Sequence, residues 1–228
     1  MLTERLQARE LMDDAALPES TYRAVLMDLA KVNRVTMAYR PTLQFLERAL
    51  ARRKSFRLLD VGFGNGDMLR EIAHWAEQRG IKAELLGVDL NPRSEKVARD
   101  ATPSELPITY RAGDYADHIG GDWDVVVSSL VAHHMTHPEL LLFLRFMESE
   151  ARIGWFVNDL HRHAFSHAGY PVLAFLMGWH KIVRLDGRTS IARAYRPEEW
   201  APILAEAGIT QAQVKRYFPF RLCVSRVQ

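Results

Sequence analysis

Cysteine is nearly absent: Cys223 is the only one in 228 residues. A lone cysteine cannot close an internal disulfide, which fits a reducing, cytoplasmic setting. Excess charge of either sign is missing too. Thirty basic and 28 acidic side chains leave +2, too even a balance to argue for a nucleic-acid partner. Long apolar runs are also lacking. The longest, GYPVLAFLMGW at 169–179, is too short to span a bilayer, so no stable membrane insertion is expected. The opening MLTERLQARE is charged and has no apolar core, so it does not read as a secretory signal. Internal repeats and low-complexity tracts are absent. What remains, with 48% hydrophobic residues, is a globular chain long enough for one well-buried domain and an appendage.

Residues 1–53 read as helices. Tyr22, Val25, Leu26, Leu29 and Val32 fall at helical spacing within 18–37, and a second helix beginning near Pro41 carries Leu43, Leu46 and Leu50. This segment needs a surface to cover, and is expected to form a helical cap over an acceptor pocket. An alternation follows: strand 56–61, helix 66–79, strand 83–89, helix 93–101, strands 107–111 and 123–129, helix 137–151 and strand 152–158. Near-continuous apolar strands alternating with helices imply a parallel sheet covered on both faces. Residues 160–187 break the rhythm with an apolar helix and a loop. Helix 197–207 and two strand-like runs around Pro219 end the chain, the runs reading as an antiparallel hairpin. The expected domains are 1–53, and 54–228 with a helical insertion at 160–187.

Strand one runs into LLDVGFGNGDM at 58–68. Its glycines, Gly62, Gly64 and Gly66, are spaced two apart, unlike the G-x-G-x-x-G of dinucleotide turns. Asp67 in the first helical turn suits the helix dipole but would repel a pyrophosphate, and no G-K-[ST] follows for a phosphate loop. With Asp60 just before the turn, the site suits a cofactor with cationic character. Asp89 ends the second strand, 23 residues after Gly66, where a carboxylate can accept both ribose hydroxyls. Gly113, Asp114 and Tyr115 end the third.

D-x-G-x-G-x-G after a strand resembles the first motif of the class I S-adenosylmethionine-dependent methyltransferases. The resemblance covers about residues 55–228. It implies an α/β, doubly wound, seven-stranded and mostly parallel Rossmann-like sheet with an antiparallel C-terminal hairpin. It implies S-adenosyl-L-methionine as cofactor. The turn, with Phe63, would pass the methionyl part, Asp60 would serve the ammonium group, and Asp89, with Leu90 and Asn91 after it, the ribose. Asp114 would bond the adenine amino group with Gly113 and Tyr115 beside it, and Ser129 at the end of strand four completes the set. Asn33, Arg34 and Arg40 are polar groups that could reach the cofactor carboxylate from the N-terminal segment.

The acceptor should sit at the carboxyl ends of strands four and five. DVVVSSLVAHHMTH at 124–137 has no Asn-Pro-Pro-Tyr or Asp-Pro-Pro-Tyr, which weighs against nucleic-acid bases as substrate. His134 and His161 follow these strands and are the candidate general bases. Quinone-pathway relatives carry metal-binding carboxylates here, but the matching positions are Leu130 and His133. With those carboxylates lost and no cysteine helping, no metal is expected. Apolar residues of the variable segments, among them Leu26, Leu29, Phe165 and Leu173, favour a small aromatic, polyketide or quinone-like acceptor methylated on oxygen. Two other readings stand beside this one: a non-catalytic ligand-binding member of the fold, and a nicotinamide-dependent dehydrogenase, which the glycine spacing and Asp67 disfavour. A second copy of the chain stays open as a partner.

Overall fold

The computed structural model describes residues 2–228. Seven strands form one sheet in the order β3-β2-β1-β4-β5-β7-β6. Strands β1 (Ser55–Val61), β2 (Lys82–Asp89), β3 (Ile108–Ala112), β4 (Val125–Ser129) and β5 (Gly154–Leu160) are parallel. β6 (Gln213–Tyr217) and β7 (Arg221–Val227) form the antiparallel hairpin, and β7 pairs with β5, setting Leu160 opposite Arg221. The sheet is therefore mixed and mostly parallel, as the sequence pattern implied.

Each central strand is buried on both faces, so alternate side chains feed two cores. Leu59, Val61 and Val126 pack with α5 (His137–Glu150) and α8 (Pro197–Ala207) on one face. Leu58, Val125 and Val127 pack with α2 (Tyr39–Ala49), α3 (Asp67–Gln78) and α4 (Pro92–Asp100) on the other. Helix starts follow local rules. Asn91 caps α4 by accepting from the Arg93 amide, and Thr136 with Glu139 forms a capping box on α5.

Three helices form a separate layer beyond the carboxyl ends of the strands. These are α1 (Glu19–Val35), α6 (Ala164–Leu176) and α7 (Lys181–Arg193). Val25 and Val32 of α1 meet Ala174, Trp179 and Val183 in a small core of their own. Where a helix and a loop were expected within 160–187, the structure has two helices, the second running past the expected end. Gly187 explains the difference: a Cβ there would lie 2.2 Å from the Tyr170 ring, so its bare backbone lets α6 and α7 pack, and the Tyr170 hydroxyl donates to the Val183 carbonyl. Ahead of α1, a single 3-10 turn at Leu11–Asp13 is tied down by Asp186 of α7, whose two oxygens accept from the Leu11 and Met12 amides at 2.9 Å each. No helix among the described residues is long and apolar enough to cross a membrane.

Candidate active site

The turn after β1 fixes the geometry of the site. Gly62 and Gly64 have φ of +81° and +53°, in the left-handed region that side chains with a Cβ disfavour. A Cβ on Gly62 would lie 2.3 Å from Val131. Gly66, also left-handed, caps α3, and a Cβ there would strike Tyr110. Asp89 holds the turn from the next strand: one carboxylate oxygen accepts from the Gly64 amide at 2.9 Å and the other from the Asn91 amide at 2.8 Å.

Three carboxylates converge on this turn. Asp60 is fully enclosed, and its Oδ1 has no hydrogen-bond partner among the described residues. Burial first, then the charges of Asp67 and Asp89, push its pKa up to about 8. Burial raises Asp89 as well. Asp67 accepts from the Asn33 amide nitrogen (2.9 Å) and the Tyr39 hydroxyl (2.8 Å). An unpartnered buried carboxylate in a field of two others calls for a cationic ligand group. The residues present thus fit a cofactor with ammonium and sulfonium charges.

A cavity of about 690 Å³ opens from this turn to the α1–α6–α7 layer. Asp60, Gly62, Phe63, Gly64, Asp89, Leu90, Asn91, Gly113, Tyr115, Ser129 and His134 all line it. Gly66 lies behind the turn. Asp114 is exposed outside the lining, where one oxygen caps the following turn by accepting from the Ala116 amide. Tyr115 packs against Phe143 and Phe146. From the N-terminal segment, Tyr22, Leu26, Leu29, Val32 and Asn33 reach the cavity, whereas Arg34 and Arg40 are exposed and do not.

His161 does not join His134. The two-residue alternation of β5 sends Leu160 into the cavity and His161 away from it, into a β-bridge with Tyr195 and against His163. The expectation that His161 faces the acceptor is therefore corrected by strand alternation. In its place Asp159 of the same strand reaches the histidine pair through His133. Fully buried, it accepts from the His133 backbone amide at 2.8 Å and pairs with His133 Nδ1 at 2.6 Å. On the other side of the His133 ring, Nε2 lies 3.6 Å from Glu10, which also stands 3.7 Å from His134 Nε2. Burial opposes charge on His133, but Asp159 and Glu10 outweigh it and raise its pKa to about 9.

Glu10, Asp13, Asp159 and Arg221 carry no local motif that marks them. Arg221 lines the cavity at the start of β7, buried, with Nη1 unpartnered among the described residues and Nη2 near Asn33 Oδ1 and Thr36 Oγ1 at 3.5 and 3.4 Å. A buried arginine in an apolar stretch was the one available signal, since such a side chain is seldom enclosed without an anionic partner.

Residues 58–154 match a family described as "Methyltransferase domain". A magnesium-protoporphyrin O-methyltransferase from Rhodobacter capsulatus is 26% identical over 165 residues, 70% of this chain and 65% of that protein. The chain thus spans just under two thirds of the length of that relative. Human N-acetylserotonin methyltransferase in complex with SAM superposes with a TM-score of 0.64 at 16% identity, over 92% of this chain and 56% of that one. Magnesium protoporphyrin IX methyltransferase from Synechocystis PCC 6803 with bound SAH gives 0.56 at 16%, over 95% and 91%. At such identities the structural likeness shows the fold.

Proposed function

We propose that this chain, which belongs to the class I S-adenosylmethionine-dependent methyltransferases, transfers the methyl group to an oxygen of a small, flat, largely apolar acceptor. The observation that carries this reading is the enclosed Asp60 carboxylate, with an unpartnered oxygen, at a glycine turn that opens on the cavity. Asp60 would take the ammonium group and Asp89 the ribose hydroxyls. Arg221, with Asn33 beside it, would take the carboxylate, since its free Nη1 is a charged donor held inside the same cavity. Asp114 keeps its proposed place at the adenine through its second oxygen.

The methyl carbon of a sulfonium is already electrophilic, so the chain's work is placement. The acceptor oxygen attacks that carbon in line, the sulfur–methyl bond breaks, and its electron pair stays on sulfur. The oxygen's proton passes, at the far end of the cavity, to His134, whose ring nitrogens lie 3.6 Å from Asp13 and 3.7 Å from Glu10. Met12, Leu29, Phe165 and Leu173 supply an apolar wall beside it. The Rhodobacter relative, by its name, O-methylates a magnesium porphyrin, which supports oxygen as the target and a planar body for the acceptor.

A labelled-methyl assay tests this reading. The chain is incubated with methyl-labelled S-adenosylmethionine and planar apolar phenols, carboxylic acids and amines. Label on oxygen is the expected product. Label on nitrogen or carbon alone overturns the O-methylation, and no transfer to any acceptor favours a ligand-binding role.

A further inference from the structure

The cavity's second end gathers two imidazoles and a carboxylate that the cofactor does not use. We propose that Glu10, His133 and His134 hold a divalent transition-metal ion of the zinc type, with one coordination position left open to the acceptor. The three side chains offer ligand atoms that all lie within 4.8 Å of one another. The two contacts that Glu10 Oε1 makes with the rings are 3.6 and 3.7 Å. These are too long for hydrogen bonds. They are close to the ~3.3–3.4 Å that separates two ligands around a tetrahedral ion with bonds of ~2.0–2.1 Å.

The surroundings support the same reading. His133 turns its other ring nitrogen to a carboxylate, Nδ1 to Asp159 at 2.6 Å, while Asp13 stands 3.6 Å from His134 Nδ1, beyond direct hydrogen-bond reach. A carboxylate behind a ligating imidazole fixes its tautomer and raises its basicity. Asp159 also holds the His133 backbone amide, and Ser190 Oγ donates to Glu10 at 2.8 Å. Both His133 and Glu10 are almost fully buried, while His134 is half-buried. Glu10 and Asp13 face Arg193, whose Nη1 is 3.5 Å from Glu10.

Two histidines and a carboxylate suit zinc, cobalt and their neighbours better than magnesium, which prefers oxygen ligands. The sequence pattern pointed away from a metal because the carboxylates expected beside His134 are missing. Glu10, from more than 120 residues earlier, brings one back across the fold. On the function proposed above, His134 would serve as a ligand rather than as the base when the ion is bound, and an acceptor oxygen at the open position would lose its proton to solvent more readily.

The test reads metal directly. Chelator-stripped protein is titrated with zinc(II) by calorimetry and with cobalt(II) by its visible spectrum, with circular dichroism to confirm folding. One zinc per chain and tetrahedral-type cobalt bands are expected. Glu10→Gln and His134→Ala should each weaken binding at least about 100-fold, and Asp159→Asn about 10–100-fold. No stoichiometric zinc, or zinc bound equally well by folded Glu10→Gln and His134→Ala, overturns the site. Stoichiometric zinc in a protein that transfers no methyl upholds the metal site and counts only against the methyl transfer.

Discussion

Between its ordinary value of 3.8 and the value of about 8 that burial gives it, Asp60 keeps a proton in the folded chain that the unfolded chain has released. The sign follows: the folded state binds more protons over that window, so the unliganded protein loses stability as pH rises through it. An ammonium group placed against Asp60 requires the ionised form. Cofactor binding near pH 7 should therefore release a proton, measurable by calorimetry in buffers of different ionisation enthalpy. Asp60→Asn should abolish that release and weaken the cofactor while leaving the melting temperature equal or higher. A proton release unchanged in Asp60→Asn would remove the ammonium assignment. Asp89 differs because it has structural work as well. Asp89→Ala would orphan the Gly64 and Asn91 amides, at about 1–3 kcal/mol for each buried group. It would also remove the acceptor of two ribose hydroxyls. A melting temperature lower by several degrees and an affinity at least about tenfold weaker are expected. Unchanged affinity in a folded Asp89→Ala variant would end the ribose assignment.

Among the elements, the segment ahead of α1 depends most on one side chain. Asp186 accepts from two consecutive amides of the 3-10 turn and so positions Glu10 and Asp13 on either side of His134. A charged hydrogen bond of this kind contributes about 1.5–3 kcal/mol. Asp186→Ala should speed amide exchange at Leu11 and Met12 by about 10–150-fold while exchange in β1 and β4 stays unchanged. Equal exchange in both proteins would show that other contacts hold the turn. This element also marks how much the sequence could tell. Strands β1, β2 and β4 and helices α3, α5 and α8 were legible because their apolar spacing and caps are local properties. The glycine turn with Asp60 and Asp89 was legible for the same reason. By contrast, the part of α7 up to Gly187 reads as loop because Val183, Asp186 and Gly187 are poor helix formers, and packing on α6 overrides them. The pairing of Glu10 with His133, and of Arg221 with the cavity, depends on segments far apart in the chain. His161 was misplaced by one step of a two-residue alternation, since the register of β5 decides which of two neighbours faces the cavity.

At the scale of the whole molecule, the parallel sheet gathers the ends of β1, β2, β4 and β5 along one edge, and the α1–α6–α7 layer closes over it. A ligand in that closed space binds the folded chain and not the unfolded one, so its free energy of binding adds to stability. At 100 times its dissociation constant, a ligand stabilises by about 2.7 kcal/mol. In a chain of this size that should raise the melting temperature by about 5–10 °C. S-adenosylhomocysteine keeps the ammonium, carboxylate and ribose groups and should produce this shift. NADH should not, because its pyrophosphate would have to lie against Asp60, Asp67 and Asp89, whose charges already oppose one another. Gly64→Val should lose the shift with S-adenosylhomocysteine, since a branched side chain at φ +53° both strains the turn and occupies the ligand's path. A shift with NADH and none with S-adenosylhomocysteine would return the chain to the dehydrogenase reading. Equal shifts with both would mean that the three carboxylates do not select the ligand's charge.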